Sequence, residues 1–125
     1  MFQKNLGKSL GKEQLEFRIM NEELKIILII DTARRDEVKV AVKLNDKTYE
    51  KIAKNIQSQN VLKLISQLLK SKKIKLSQIK EIKVNTGPGS FTGLRVGVAV
   101  ANALGFALKI PVNGKEAGKI QPTYE

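Results

Sequence analysis

Five consecutive aliphatic residues, Ile26-Ile27-Leu28-Ile29-Ile30, open the patterned part of the chain. A β-branched run of this length predicts a strand over 25–31 that is covered on both faces. Val38-Lys39-Val40-Ala41-Val42-Lys43 predicts a second strand, Asn45-Asp46 a tight turn, and Thr48 to Ile52 a returning strand, so this part reads as antiparallel hairpins. The period then changes. Val61, Leu64, Ile65 and Leu68, with Leu62 and Leu69 beside them, form the stripe of an amphipathic helix over about 58–69, which ends in cations as a helix C-terminus favours. A connector, 76–80, leads to a strand at 82–84, a Gly-Pro-Gly turn and an apolar helix over about 92–108. Ser90 and Thr92 are suitable N-caps for that helix.

Ile110-Pro111-Val112 predicts a last short strand, held to a sheet edge by its proline, and 114–125 has the look of a frayed end. At the other terminus, 1–11 reads as a flexible lead. In 12–24, Leu15, Ile19 and Met20 recur at helical spacing, which fits a short helix or a stretch outside the fold. The expected organisation is an extension over 1–24, one domain over 25–115 and a tail over 116–125. Its order β-β-β-α-β-α, with a final short β, is that of a mixed sheet with helices packed on it: an α/β fold of the ribonuclease H-like, actin-like kind.

Composition narrows the chemistry. The 125 residues suit one domain, and a 42% hydrophobic share is ordinary for a globular chain. There is no cysteine and no histidine, which excludes disulfides and thiolate metal sites and removes the commonest general base. Ile26–Ile30 is too short to span a bilayer, and the N-terminus lacks the apolar region of a secretory signal, so a cytoplasmic protein with no membrane partner is expected. The net charge is +11, and since 1–24 holds four basic and four acidic residues, the whole excess belongs to 25–125. It fits either a lysine-decorated solvated surface or a polyanionic partner such as RNA. The nucleic-acid candidates are Lys70, Lys72, Lys73, Lys75, Lys80 and Lys83.

The turn before the second helix invites a phosphate-binding reading, because free N–H groups at a helix start attract anions. Its spacing fits neither familiar version. Gly87, Gly89 and Gly93 give G-x-G-x-x-x-G, one residue too long for the dinucleotide fingerprint, and Leu94-Arg95 stands where a phosphate loop needs Lys and Ser or Thr. A turn that seats the helix close to the sheet is the other reading. Ser90 has no histidine to activate it as a nucleophile, so neither a catalytic residue nor a cofactor is expected. Within the helix, Gly93, Gly97, Ala101 and Gly105 share one face, and Ala99, Ala103 and Ala107 lie on a neighbouring one. A face this bare packs on the sheet, meets a second chain, or does both with its two rows.

Three segments together, Ile-Ile-Asp-Thr-Ala at 29–33, the motif Gly87, Pro88, Gly89, Ser90, Phe91, Thr92, Gly93, Leu94, Arg95 running on to Val96-Gly97, and Ala101-Asn102-Ala103-Leu104-Gly105, resemble the bacterial TsaB (YeaZ) family over about 25–115. The resemblance implies an actin-like (ASKHA) subdomain and a scaffold role, without catalysis, in making N6-threonylcarbamoyladenosine in tRNA. It implies a TsaD-like catalytic partner or a second copy of the chain, with a TsaE-like ATPase joining the assembly. The family's dimer contact maps onto Val61, Leu64, Ile65 and Leu68 and onto the helix from Gly93. The likeness to actin-like ATPases makes Asp31 and Thr32 the candidate nucleotide position, or else Asp31 caps a turn. Ser58-Gln59-Asn60 departs from the His-Ser-Glu-like start usual in the family, and no second subdomain follows, as expected of a half-length version or a fragment.

Overall fold

The structure, a computed structural model, describes residues 4–6, 8–9, 25–54 and 58–123. Strands β1 (Lys4–Leu6) and β2 (Lys8–Ser9) form a small antiparallel pair where the sequence predicts an unstructured lead. Backbone pairing leaves no apolar period to read, which is why the pattern missed it. The helix predicted over 12–24 falls outside the described residues.

Strands β3 (Ile26–Asp31), β4 (Glu37–Leu44), β5 (Lys47–Lys54) and β6 (Glu81–Val84) build the main sheet in the order β5-β4-β3-β6. β3–β4 and β4–β5 are antiparallel, while β3–β6 is parallel. The β4–β5 turn works because Asn45 takes a left-handed φ of 57°, a conformation asparagine tolerates. A parallel pair needs a crossover. Helix α1 (Ser58–Ser71) and a 3-10 turn at Leu76–Gln78 supply it, and helix α2 (Phe91–Leu108) follows β6. The mixed α/β sheet read from the sequence is therefore the observed fold.

Register decides which side chains meet. Leu28 lies between Val42 and Ile82, and Ile30 between Val40 and Val84, so these residues share one face of the sheet. Val61, Ile65 and Leu68 from α1, and Val98 and Ala101 from α2, close the core over that face. Ile27 and Ile29 point the other way, beside Lys43, Ala41, Glu81 and Lys83. On this second face Ile27 and Ala41 are buried and Ile29 is half-buried.

Helix α2 is long and apolar enough to cross a membrane by length and composition. Gly93, Leu94, Gly97, Val98, Val100, Ala101 and Gly105 are nonetheless buried, so it serves here as a core helix.

The described chain after α2, up to Thr123, is not frayed. Val112 bridges Ile82 in parallel at the outer edge of β6, where the last strand was expected. Asn113 donates from its amide to the Val84 carbonyl and accepts from the Val84 N–H. Asn102 on α2 accepts from Gly118 N–H and donates to the Ile120 carbonyl, and Ile120 is buried. Two asparagine side chains and one isoleucine tie down a stretch that has no period of its own.

Candidate functional site

The carboxyl ends of β3 and β6 lie side by side, so the segments that follow them must meet. Asn85 N–H donates to the Ile30 carbonyl at 2.9 Å. Asp31 Oδ1 accepts from Ala33 N–H at 3.0 Å and from the Asn85 side-chain amide at 3.2 Å. Asn85 Oδ1 in turn accepts from Gly87 N–H at 2.9 Å. Gly87, with φ 111°, precedes a cis Pro88, and an added Cβ there would run into the Thr123 carbonyl. The loop is thus tied to β3 on one side and to the chain's last described residue on the other.

Ser90 opens α2. Its N–H donates to the Ala33 carbonyl at 2.8 Å, and its hydroxyl accepts from Gly93 N–H at 3.2 Å. Replacing Ser90 by alanine removes this N-cap and is expected to cost about 1 kcal/mol in urea unfolding, with Ser90→Asp retaining most of the stability. The N–H groups of Gly87, Ser90, Gly93 and Leu94 are all engaged within the chain. A phosphate cradle would need such donors free, so the geometry favours the seating turn. Asp31 caps the turn at the end of β3, with its neighbour Thr32 fully buried. Among the described residues no group of three or more His, Cys, Asp or Glu could hold a metal ion.

The bare face of α2 looks inward. Thr32 donates its hydroxyl to the Gly93 carbonyl, and a Cβ on Gly97 would stand 2.1 Å from Thr32 Oγ1. A Cβ on Gly89 would meet the Ala33 carbonyl at 2.6 Å, and one on Gly105 would meet Val112 at 2.5 Å. Gly93, Gly97, Ala101 and Gly105 are therefore buried against the chain's own β3, β6 and C-terminal segment. On α1, Val61, Leu64, Ile65 and Leu68 are likewise buried in the core. These eight residues help to hold the domain together. A helix stripe has to cover its own sheet before it can serve a neighbour.

What the two helices leave outside is different. Phe91, Arg95, Ala99, Ala103 and Phe106 follow one another by three or four residues along α2 and are all exposed, with Phe91 at 56% and Phe106 at 78%. The Arg95 guanidinium lies 5.4 Å from the Phe91 ring centre. Beside this ridge, Leu62, Leu69, Ile74, Leu76 and Leu104 line a groove of about 230 Å³ between α1 and its following loop on one side and α2 on the other. Of these residues the sequence named Ala99 and Ala103 as a second row, Phe91 and Arg95 as part of the motif, Leu62 and Leu69 beside the stripe of α1, and Leu104 in the segment after the motif; Phe106 was missed, although a phenylalanine beside two small-residue rows has nowhere inside to go. Of the basic candidates, Lys70, Lys72, Lys73, Lys75 and Lys80 are exposed near the end of α1. Lys83 stands apart on the other face of the sheet, opposite Ile29.

Comparison with known proteins finds similarity to TsaD and TsaB proteins. A family profile described as TsaD, tRNA N6-adenosine threonylcarbamoyltransferase, matches residues 48–114. The tRNA threonylcarbamoyladenosine biosynthesis protein TsaB of Buchnera aphidicola subsp. Schizaphis graminum is 35% identical over 92 residues, 71% of this chain and 43% of the relative. TsaB of Escherichia coli is 32% identical over 91 residues, 70% of this chain and 38% of its own. Among solved structures, YeaZ from Pseudomonas aeruginosa superposes with a TM-score of 0.65 at 30% identity, covering 70% of this chain and 41% of that one. The chain spans about two fifths of the length of these relatives.

Proposed function

The chain belongs to the family described as TsaD, tRNA N6-adenosine threonylcarbamoyltransferase, and from that membership we propose that it is a non-catalytic, TsaB-like scaffold subunit in the making of N6-threonylcarbamoyladenosine in tRNA. The observation that carries the reading is the exposed apolar ridge Phe91-Ala99-Ala103-Phe106 beside the Leu62–Leu104 groove. Contiguous apolar surface of this kind marks a contact site. Small residues at its centre let a second helix approach to the ~8–10 Å at which helices pack.

The partner of this reading is a TsaD-like subunit of the same fold, which presents a helix pair of its own. A second copy of the chain is the alternative occupant, and a TsaE-like ATPase joins the assembly through the pair. Chemistry belongs to the partner, because this sequence offers neither histidine nor cysteine. Such a subunit works in the cytoplasm, where tRNA is modified. Light scattering on the chain mixed with the TsaD-like subunit of the same organism tests the reading. A one-to-one complex is expected; two species that elute separately, each as a monomer, would overturn it.

A further inference from the structure

The fold gathers lysines at the end of the sheet farthest from the Asp31–Gly89 site. Ile26 at the start of β3 stands opposite Leu44, and Leu44 opposite Lys47, so Lys25, Lys43 and Lys47 flank one corner. Lys80 N–H donates to the Ile26 carbonyl, which brings the entry to β6 to the same corner. The end of α1 arrives there too, since Lys72 Nζ sits 3.9 Å above the Tyr49 ring and Tyr49 pairs with Val42. Lys70, Lys73 and Lys75 flank that contact along the chain, and all are exposed. Among the described residues, eight lysines thus share one end of the domain with the carboxylates Asp46 and Glu81, of which Glu81 is held by Lys25 at 3.3 Å. The opposite end is less one-sided, with Arg34, Arg35, Lys39, Lys54 and Arg95 against Asp31, Asp36, Glu37 and Glu50.

We propose that this lysine-rich end is a binding surface for the phosphate backbone of a folded RNA. It borders the groove beside the helix ridge, which Lys70 also lines, and it is tested on the chain alone, before any subunit contact forms. Every cation in the cluster is a lysine. Lysine meets phosphate as a point charge, whereas bidentate base recognition is the habit of arginine. The one aromatic ring in the cluster, Tyr49, is half-buried and already faces Lys72, so it is not free to stack on a base. The surface therefore positions RNA and does not read its sequence. A lipid surface is the less suitable polyanion here, because Phe91 and Phe106, the most exposed aromatic residues, lie on the helix ridge and not among these lysines.

The test is fluorescence anisotropy of the whole chain with an unmodified tRNA transcript, with a duplex RNA of unrelated sequence, and with vesicles containing phosphatidylserine. Four to six lysine–phosphate contacts predict a log–log dependence on salt with a slope of roughly −3 to −5 for tRNA, and a comparable affinity for the unrelated duplex. The triple variant Lys70→Glu, Lys73→Glu, Lys75→Glu is expected to weaken tRNA binding more than tenfold and to flatten the slope by about 2 to 3. A control with equal charge change at the opposite end, Arg34→Glu, Lys51→Glu, Lys54→Glu, should retain affinity within about threefold. Circular dichroism establishes that both variants fold, and a control series of single Lys→Gln variants at 70, 73 and 75 replaces the triple variant if it does not. No tRNA binding at low salt, equal losses in both triple variants, or vesicle binding that is tighter and equally dependent on Lys70, Lys73 and Lys75, would each overturn the proposal.

Discussion

Gly97→Ala is expected to destabilise the domain by about 1–3 kcal/mol, the cost of overpacking a tight interior. In an ordinary helix interior the same change gains about 1 kcal/mol from helix propensity, so the sign itself is diagnostic. The new Cβ would lie 2.1 Å from Thr32 Oγ1, and Thr32 cannot swing away freely because it is fully buried and donates to the Gly93 carbonyl. Urea unfolding measures the effect, and Thr32→Ala supplies the control. Alone, Thr32→Ala gives up one buried hydrogen bond, worth about 1 kcal/mol. With the hydroxyl gone, the nearest remaining Thr32 atom is its Cβ at 3.3 Å, a contact the neighbours absorb by a small shift. The double variant should therefore be little worse than Thr32→Ala, with a coupling of about 1–2 kcal/mol. Strictly additive losses would show that Gly97 is required for another reason. A larger side chain, as in Gly97→Leu, is expected to disrupt the fold before any subunit contact is at issue.

That pair of residues shows what the sequence could and could not disclose. The strand at 25–31 was legible from its unbroken aliphatic run, and the hairpin and both core helices because burial of one face imposes a period of two or 3.6 on apolar residues. Asp31-Thr32 and the Gly87–Gly97 motif were legible as special, the first from its place after a strand and the second from its concentration of glycine. That the two are halves of one lock was not legible, because contact between residues 61 positions apart leaves no mark on local spacing. The same limit hid the outward ridge. Periodicity identifies the stripe that must be buried, Val61-Leu64-Ile65-Leu68 and Gly93-Gly97-Ala101-Gly105, and is silent on whether the burying surface comes from the same chain or another. The C-terminal segment was misread for a related reason: Asn102 and Asn113 hold it by side-chain hydrogen bonds, and a lone asparagine carries no pattern.

With both regular stripes packed into the domain's own core, the proposed subunit contact would use what is left, and Ala103→Glu is the substitution that isolates it. Ala103 is exposed in the middle of α2, and glutamate is a good helix former, so the folding stability should change by no more than about 0.5 kcal/mol. Across a helix–helix contact the same carboxylate would be desolvated without a partner. Leaving a charge buried and unpaired in an interface costs roughly 2–5 kcal/mol, which is about thirtyfold to several thousandfold in Kd. Calorimetry with the TsaD-like subunit reads the loss directly, and light scattering on the chain alone reads any loss of self-association. Lys119→Glu, exposed and off the ridge, should leave both unchanged. Phe106→Ser probes the rim of the same ridge with a smaller expected loss, about 1–2 kcal/mol, because an aromatic side chain at 78% exposure gains most of its burial only on contact. Full affinity in Ala103→Glu, with the fold intact, would move the contact off α2 altogether. Loss in Ala103→Glu together with retention in Lys119→Glu would locate it on the row that the domain's own packing left unused.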